Sequence, residues 1–168
     1  MKGRQHLLQI LITLVLGVTS DYAQFQFQQL STPIGGPVTG ITSDGIKYYV
    51  GVNGSGVYQS ADGVSWIALN LALGEPSVES VFALNGQLYV GTHHGVYQTD
   101  LVTTTRLRAA SNDAAFASDT IFGIVAFQSG IMLAADDGVW QCSTTCKKVK
   151  TVYQARSITT LADGSVLV

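Results

Sequence analysis

This 168-residue sequence predicts an all-β fold: a β-propeller segment of four-stranded antiparallel blades, about three and a half blades long. Three observations carry that prediction. The phrases Gly56-Val57-Tyr58-Gln59, Gly95-Val96-Tyr97-Gln98 and Gly138-Val139-Trp140-Gln141 recur at spacings of 39 and 43 residues, and a period near 40 marks a repeat architecture. In phase with them, Asp44-Gly45, Asn85-Gly86, Ser129-Gly130 and Asp163-Gly164 each divide two apolar runs. Such dipeptides suit tight hairpins, whose type I′ turns require positive φ at both central positions. Finally, 46% of residues are hydrophobic, 12% are charged and 18 are glycine. That balance fits a many-turned β protein with well-buried strands and is unlike that of a disordered chain.

The first repeat, residues 37–76, holds apolar segments at Val38-Thr42, Lys47-Val52, Gly56-Ser60 and Ser65-Leu69. The second, 77–119, repeats the scheme at Val78-Leu84, Gln87-Thr92, Gly95-Thr99 and Thr104-Ala109. The third, 120–155, places strands at Ile121-Phe127, Ile131-Ala135, Gly138-Cys142 and Lys148-Tyr153. Four short strands in about 40 residues is the blade pattern. A fourth repeat, 156–168, begins with Ser157-Leu161, turns at Asp163-Gly164 and stops at Val168. Because about 4 to 8 blades close a ring, the expectation is that the sequence is the N-terminal part of a longer, truncated chain. Its open blade edge invites self-association.

Residues 1–23 follow another logic. Lys2 and Arg4 precede an apolar run from Leu7 to Val18, and small residues follow at Thr19, Ser20 and Ala23. This is the layout of a signal peptide, with an uncleaved N-terminal anchor as the alternative. In either case the rest of the chain, a polar leader over 24–36 and then the blades, is expected outside the cytosol, either secreted or in the periplasm or cell envelope. Membrane contact would come only through an uncleaved N-terminal segment. Cys142 and Cys146 fit an oxidising compartment, and a disulfide between them would close a short hairpin loop. A structural zinc site would need four ligands, and no second close Cys pair exists.

A net charge of −2 and scattered Lys and Arg residues exclude a nucleic-acid footprint. Lys147, Lys148 and Lys150 read as a solvated strand face, as do Arg106 and Arg108, which alternate along a strand. No nucleophile elbow, HExxH, P-loop or dinucleotide fingerprint appears, so no cofactor is expected.

Ser60-Ala61-Asp62-Gly63-Val64-Ser65-Trp66 resembles the Asp-box turn, Ser-x-Asp-x-Gly-x-x-Trp, of BNR-type propellers, one residue shorter. The preceding strand phrases resemble the same families. These include sialidases, xyloglucan-cleaving hydrolases, sortilin-type receptors, photosystem assembly factors and sensor propellers of two-component regulators. The resemblance extends over residues 37–168 but is specific only in the first repeat. Thr99-Asp100-Leu101 lacks the aromatic anchor, and Cys142 stands where Ser60 does. It implies a structural role for Ser60, Asp62 and Trp66, away from the ligand face, with Trp66 packed between blades. It speaks to architecture and not to function.

The turns joining the second and third strands of each blade carry Asn53, His93-His94 and Asp136-Asp137. In a propeller these 2–3 loops emerge on one rim, so their polar groups converge. A carbohydrate or protein ligand is one reading of that rim, and a divalent metal held by imidazole and carboxylate is another. Plain turn chemistry is the third, since Asn, Asp and His tolerate positive φ. Catalysis finds little support: a sialidase-like arginine cluster is absent, and nothing marks Glu75 and Glu79, read as part of a 4–1 connection, as the flanking carboxylate pair that glycoside hydrolysis needs. The first expectation is therefore an exported, non-catalytic propeller that binds a ligand or partner on one face. The alternatives are the N-terminal fragment of a secreted glycoside hydrolase and the sensor propeller of a membrane-anchored two-component regulator.

Overall fold

A computed structural model describes residues 35–111, 113–116 and 119–168; the expected signal peptide or anchor, 1–23, and residues 24–34 of the leader lie outside the described residues. Fourteen strands are formed among the described residues. Blade 1 comprises β1 (Val38–Ser43), β2 (Tyr48–Val52), β3 (Gly56–Ser60) and β4 (Ile67–Leu69). Blade 2 comprises β5 (Val78–Leu84), β6 (Gln87–Thr92), β7 (Gly95–Thr99) and β8 (Thr104–Arg106), and a four-residue helix, α1 (Asp113–Phe116), follows it. Blade 3 comprises β9 (Ile121–Phe127), β10 (Gly130–Ala135), β11 (Gly138–Cys142) and β12 (Cys146–Lys150). The fourth unit has β13 (Thr159–Thr160) and β14 (Val166–Leu167). Every pairing between named strands is antiparallel, and each sheet runs in chain order, so the repeat phrase is the third strand each time. This is an all-β propeller segment, and the described residues do not close a ring.

Neighbouring blades stack face to face, so the core lies in the seams between them. Tyr49, Val57, Val78, Val81, Leu88 and Val90 fill the seam of blades 1 and 2. Phe116, Ile121, Ile131, Leu133 and Trp140 are among those filling the seam of blades 2 and 3. Val139, Ala134, Ala155 and Ile158 join blade 3 to the fourth unit. Strands covered on both faces bury adjacent residues, which is why β10 reads as a nearly continuous apolar run. The inner strands approach closely where glycine sits. A Cβ on Gly51 would come within 2.5 Å of Val78, and one on Gly91 within 2.7 Å of the Ile121 carbonyl oxygen.

One irregularity recurs. The register of the first strand slips between Val38 and Gly40, between Val78 and Ser80, and between Ile121 and Gly123. Thr39, Glu79 and Phe122 are thereby the extra residues of equivalent β-bulges, beside the 2–3 loops. A bulge re-aims the side chain it carries.

Several local expectations are corrected. Only Asn85-Gly86 has both residues at positive φ, 51° and 74°. Asp44-Gly45 belongs to a longer loop in which Asp44 Oδ1 accepts from the N–H groups of Ile46 at 2.8 Å and Lys47 at 2.7 Å. The third turn is Gln128-Ser129 rather than Ser129-Gly130, because Gly130 already pairs with Phe127. Gly130 is required there for space, since a Cβ would lie 2.1 Å from the Cys142 carbonyl oxygen. β8 ends at Arg106 rather than Ala109. Arg106 and Arg108 do not form a free solvated face, because both reach the Asp113 carboxylate, at 2.8 and 3.0 Å. The last strand of blade 3 is Cys146–Lys150 and not Lys148-Tyr153.

That shift has a covalent cause. Cys142 and Cys146 are joined as a disulfide and stand opposite one another in the register of β11 and β12. The Cys146 N–H donates to the Arg108 carbonyl oxygen and its own carbonyl accepts from the Ala110 N–H, both at 2.8 Å, tying blade 3 to the chain after β8. The bridge closes only a few residues, so its loop-entropy contribution is about 2 kcal/mol. Reduction is expected to lower the thermal midpoint by several degrees without unfolding the blades at room temperature; near-ultraviolet circular dichroism with and without reductant checks this.

Candidate functional site

The 2–3 loops are built alike, and glycine bears the conformational cost. The residue opening the third strand has positive φ each time: Gly56 at 84°, Gly95 at 90° and Gly138 at 143°. Asn53, His93, His94, Asp136 and Asp137 do not. Tolerance of positive φ therefore does not explain why polar residues occupy these loops. The turns close through backbone and hydroxyl bonds, with Thr92 Oγ1 accepting from the His94 N–H at 3.0 Å and the Asp136 N–H donating to the Thr120 carbonyl oxygen at 3.2 Å. The loop side chains are left to interact with their surroundings.

Glu79 gathers two of them. Asn53 Nδ2 of blade 1 donates to Glu79 Oε1 at 2.6 Å, and His93 Nε2 of blade 2 lies 2.8 Å from the same oxygen. His94 Nδ1 lies 2.9 Å from Glu75 Oε1 in the 4–1 connection. The glutamates are mostly covered while the imidazoles are open, the side chain of His94 being 64% exposed. Glu79 is a bulge residue of β5, not part of the connection. Its central place was not legible because a bulge is a property of the paired strands.

The aspartates form a separate group. Asp137 Oδ1 accepts from Trp140 Nε1 at 2.8 Å, and Asp137 Oδ2 pairs with Lys148 Nζ. Lys148 also lies 5.0 Å from the Trp140 ring centroid, so it departs from the solvated face formed by Lys147 and Lys150. Behind them is Asp119, 7% exposed, with its Oδ2 unpartnered among the described residues. Burial, hydrogen bonding with Asp137 and the Asp137 and Asp136 charges push the Asp119 carboxyl up to about 7, against the opposing charge of Lys148. Burial also works to raise Asp137, but its bonds with Lys148, Asp119 and Trp140 prevail and hold it below the ordinary value.

No hydrogen bond among the described residues joins His93 or His94 to Asp136 or Asp137. Nor do the described residues bring three or more His, Cys, Asp or Glu side chains together as a metal site. The rim is therefore two neighbouring clusters, a His–Glu group between blades 1 and 2 and an acid–Lys–Trp group on blade 3.

Asp119 gives a pH test. The folded state holds its proton more tightly than the unfolded chain, so this group's contribution to stability falls as pH rises from 3.8 to about 7. Asp119→Asn is expected to raise the urea midpoint at pH 8 and leave it nearly unchanged at pH 4.5. Equal gains at both pH values would show that the charge is not the cause.

Ser60, Asp62 and Trp66 sit in or beside the β3–β4 turn, across the blade from the rim. Asp62 Oδ1 accepts from Ser60 Oγ at 2.9 Å and from the N–H groups of Val64 and Ser65 at 2.8 Å; Ser60 Oγ accepts from the Gly63 N–H at 2.8 Å. These backbone bonds hold the Asp62 carboxyl well below the usual range. Trp66 is half-buried, and its indole N–H has no acceptor among the described residues. Blade 2 uses the same device without the full motif. Asp100 Oδ1 accepts from Val102 and Thr103 N–H groups at 2.9 and 2.6 Å, and Thr99 Oγ1 from Leu101 N–H at 2.9 Å. Blade 3 has the disulfide in its place.

No protein-family model matches this sequence, and no curated protein does. Solved structures do match the fold. The extracellular domain of a hybrid two-component system from B. thetaiotaomicron superposes with a TM-score of 0.69 at 12% identity, over 84% of this chain and 21% of that one. A second such domain from the same organism gives 0.61 at 17% identity, over 83% and 20%. An ancestral GH74 enzyme gives 0.60 at 18% identity, over 79% and 21%. The chain thus spans about a fifth of the length of these proteins. At such identities the likeness shows a propeller-type fold common to sensor and enzyme proteins, and no specific family.

Proposed function

We propose that this chain is an exported, non-catalytic propeller module that binds a ligand or protein partner across the rim of the 2–3 loops. One observation carries the reading. Glu79, aimed by its bulge, gathers Asn53 and His93 from adjacent blades into a preformed polar surface with open imidazoles. Mixed charge on an exposed, backbone-anchored rim suits partner recognition, where complementary charges set specificity. Glu79 is engaged by Asn53 and His93, which disfavours its use as one of the free carboxylates of a glycosidase pair. Export is supported by the N-terminal apolar run behind Lys2 and Arg4 and by the disulfide. No helix among the described residues is long and apolar enough to cross a membrane.

Arrays of peptides and charged glycans, which the mostly uncharged groove between blades 2 and 3 does not suit, probed with the purified chain test the proposal. Saturable capture is expected, with His93→Ala and Asp136→Ala each weakening it at least tenfold while changing stability by less than about 1 kcal/mol, because both residues are only partly buried. Capture that survives both substitutions places the partner surface elsewhere.

A further inference from the structure

The seams between blades are closed unequally on the side of the molecule opposite the rim. Where blade 2 meets blade 1, the space beside Tyr49, Gly86 and Leu101 is about 90 Å³. Where blade 3 meets blade 2, the equivalent space beside Tyr89 is a groove of about 720 Å³. Tyr49 and Tyr89 each stand two residues before the close-packed glycine of the second strand, so the two places are related by the repeat. The difference lies in the turn of the following blade. Blade 2 inserts Leu101, held at φ 73° and packed on the seam core. Blade 3 has only Ser143, Thr144 and Thr145 under its disulfide, and nothing apolar to insert.

The lining of the groove is specific in kind. Gln98 and Thr105 are cross-strand neighbours of Tyr89 on one transverse row of blade 2, and Gln87 completes that wall. Ser129 and Thr144 form the facing wall. Gln98 Nε2 donates to Gln87 Oε1 at 3.2 Å, which orients both amides and leaves donor and acceptor capacity on each for a ligand. The single charged lining residue, Asp100, already spends one carboxylate oxygen on its own turn. Neutral amides and hydroxyls therefore surround a floor of Tyr89 ring and buried Leu107. A ligand here must offer many uncharged hydrogen-bonding groups and an apolar face, and the size is that of an ordinary ligand pocket, about 300–1,000 Å³. We infer that the groove between blades 2 and 3 is a binding site for a neutral oligosaccharide, separate from the rim.

The test is isothermal titration of the purified full chain with cellohexaose, maltohexaose and hexagalacturonate. At least one neutral hexasaccharide is expected to bind saturably with a Kd of about 1 mM or tighter. Gln87→Ala/Gln98→Ala and, separately, Thr144→Trp, which fills the groove, are each expected to weaken that binding at least tenfold. His93→Ala on the rim should leave it unchanged. Should Thr144→Trp disturb folding, as seen by near-ultraviolet circular dichroism, the double alanine variant decides alone. No saturable neutral ligand, preference for hexagalacturonate, or an affinity unchanged in the double variant would each overturn the assignment.

Discussion

Replacing Gly91 with alanine is expected to cost about 3 kcal/mol or more, the upper range for forcing extra volume into a packed core. The added Cβ would meet Ser80 Oγ at 2.2 Å, the Ile121 carbonyl oxygen at 2.7 Å and Ile121 Cβ at 2.9 Å. The first of these could rotate away only by breaking the buried bond that Ser80 Oγ donates to the Ile121 carbonyl oxygen at 2.8 Å. The second is backbone and cannot. Relief requires blades 2 and 3 to move apart, which opens the largest core cluster. Gly86→Ala is the control, because Gly86 sits at φ 74° with nothing within 4 Å of where a Cβ would stand. Its cost is backbone strain alone, about 1 kcal/mol. Urea unfolding of both variants separates close approach from turn geometry. A Gly91→Ala protein as stable as Gly86→Ala would refute the account of the seam.

Truncating Phe116 is expected to have a similar effect for the opposite reason. Phe116 is fully buried, with its ring centroid 4.5 Å from that of Trp140 at a tilt of 47°. Alanine there leaves a void between blades 2 and 3, and such Phe→Ala changes cost about 3–5 kcal/mol. Trp140 would also lose the neighbour that fixes its ring, and with it the firm placement of Asp137 and Lys148. Phe116→Leu keeps most of the volume and should cost less than about 1.5 kcal/mol. Unfolding midpoints together with the near-ultraviolet tryptophan signal follow both consequences. If Phe116→Ala loses less than about 1 kcal/mol, Phe116 of α1 does not hold the seam of blades 2 and 3 together.

Phe116 also shows where sequence reasoning stops. Its helix lies in the connection between blades 2 and 3, within the 43-residue spacing between the second and third repeat phrases, against 39 between the first and second. Nothing in so short a segment announces a helix, because one turn carries no periodicity and is costly to nucleate alone. It exists because Phe116 has a seam to fill and because Asp113 accepts from Arg106, Arg108 and the Ala109 N–H. The alternating arginines of β8 were legible as a pattern, but their partner was not.

The rim divides in the same way. That the loops bearing Asn53, His93-His94 and Asp136-Asp137 join second and third strands was readable from strand order. The reason for their polarity was not. Positive φ falls on the glycines that follow, and the side chains answer to Glu79, Glu75, Asp119 and Lys148, which come from other elements. In blade 2 the sequence lacks the aromatic anchor, yet Asp100 accepts from the N–H groups two and three residues on, as Asp62 does in blade 1.

What the chain alone determined is local and repetitive: three blades of four strands, the recurring third strand, hairpin connections and a cysteine pair close enough to bond. Short apolar runs and glycine-bearing turns act within a few residues, so they leave a mark in the sequence at each repeat. What tertiary structure decided is how blades meet. The close approach at Gly91, the bulge that aims Glu79, the raised Asp119 and the groove left open beside Tyr89 all depend on distances between sheets. Those distances are set by residues about 40 positions apart packing at once, and no single repeat contains both sides of the seam.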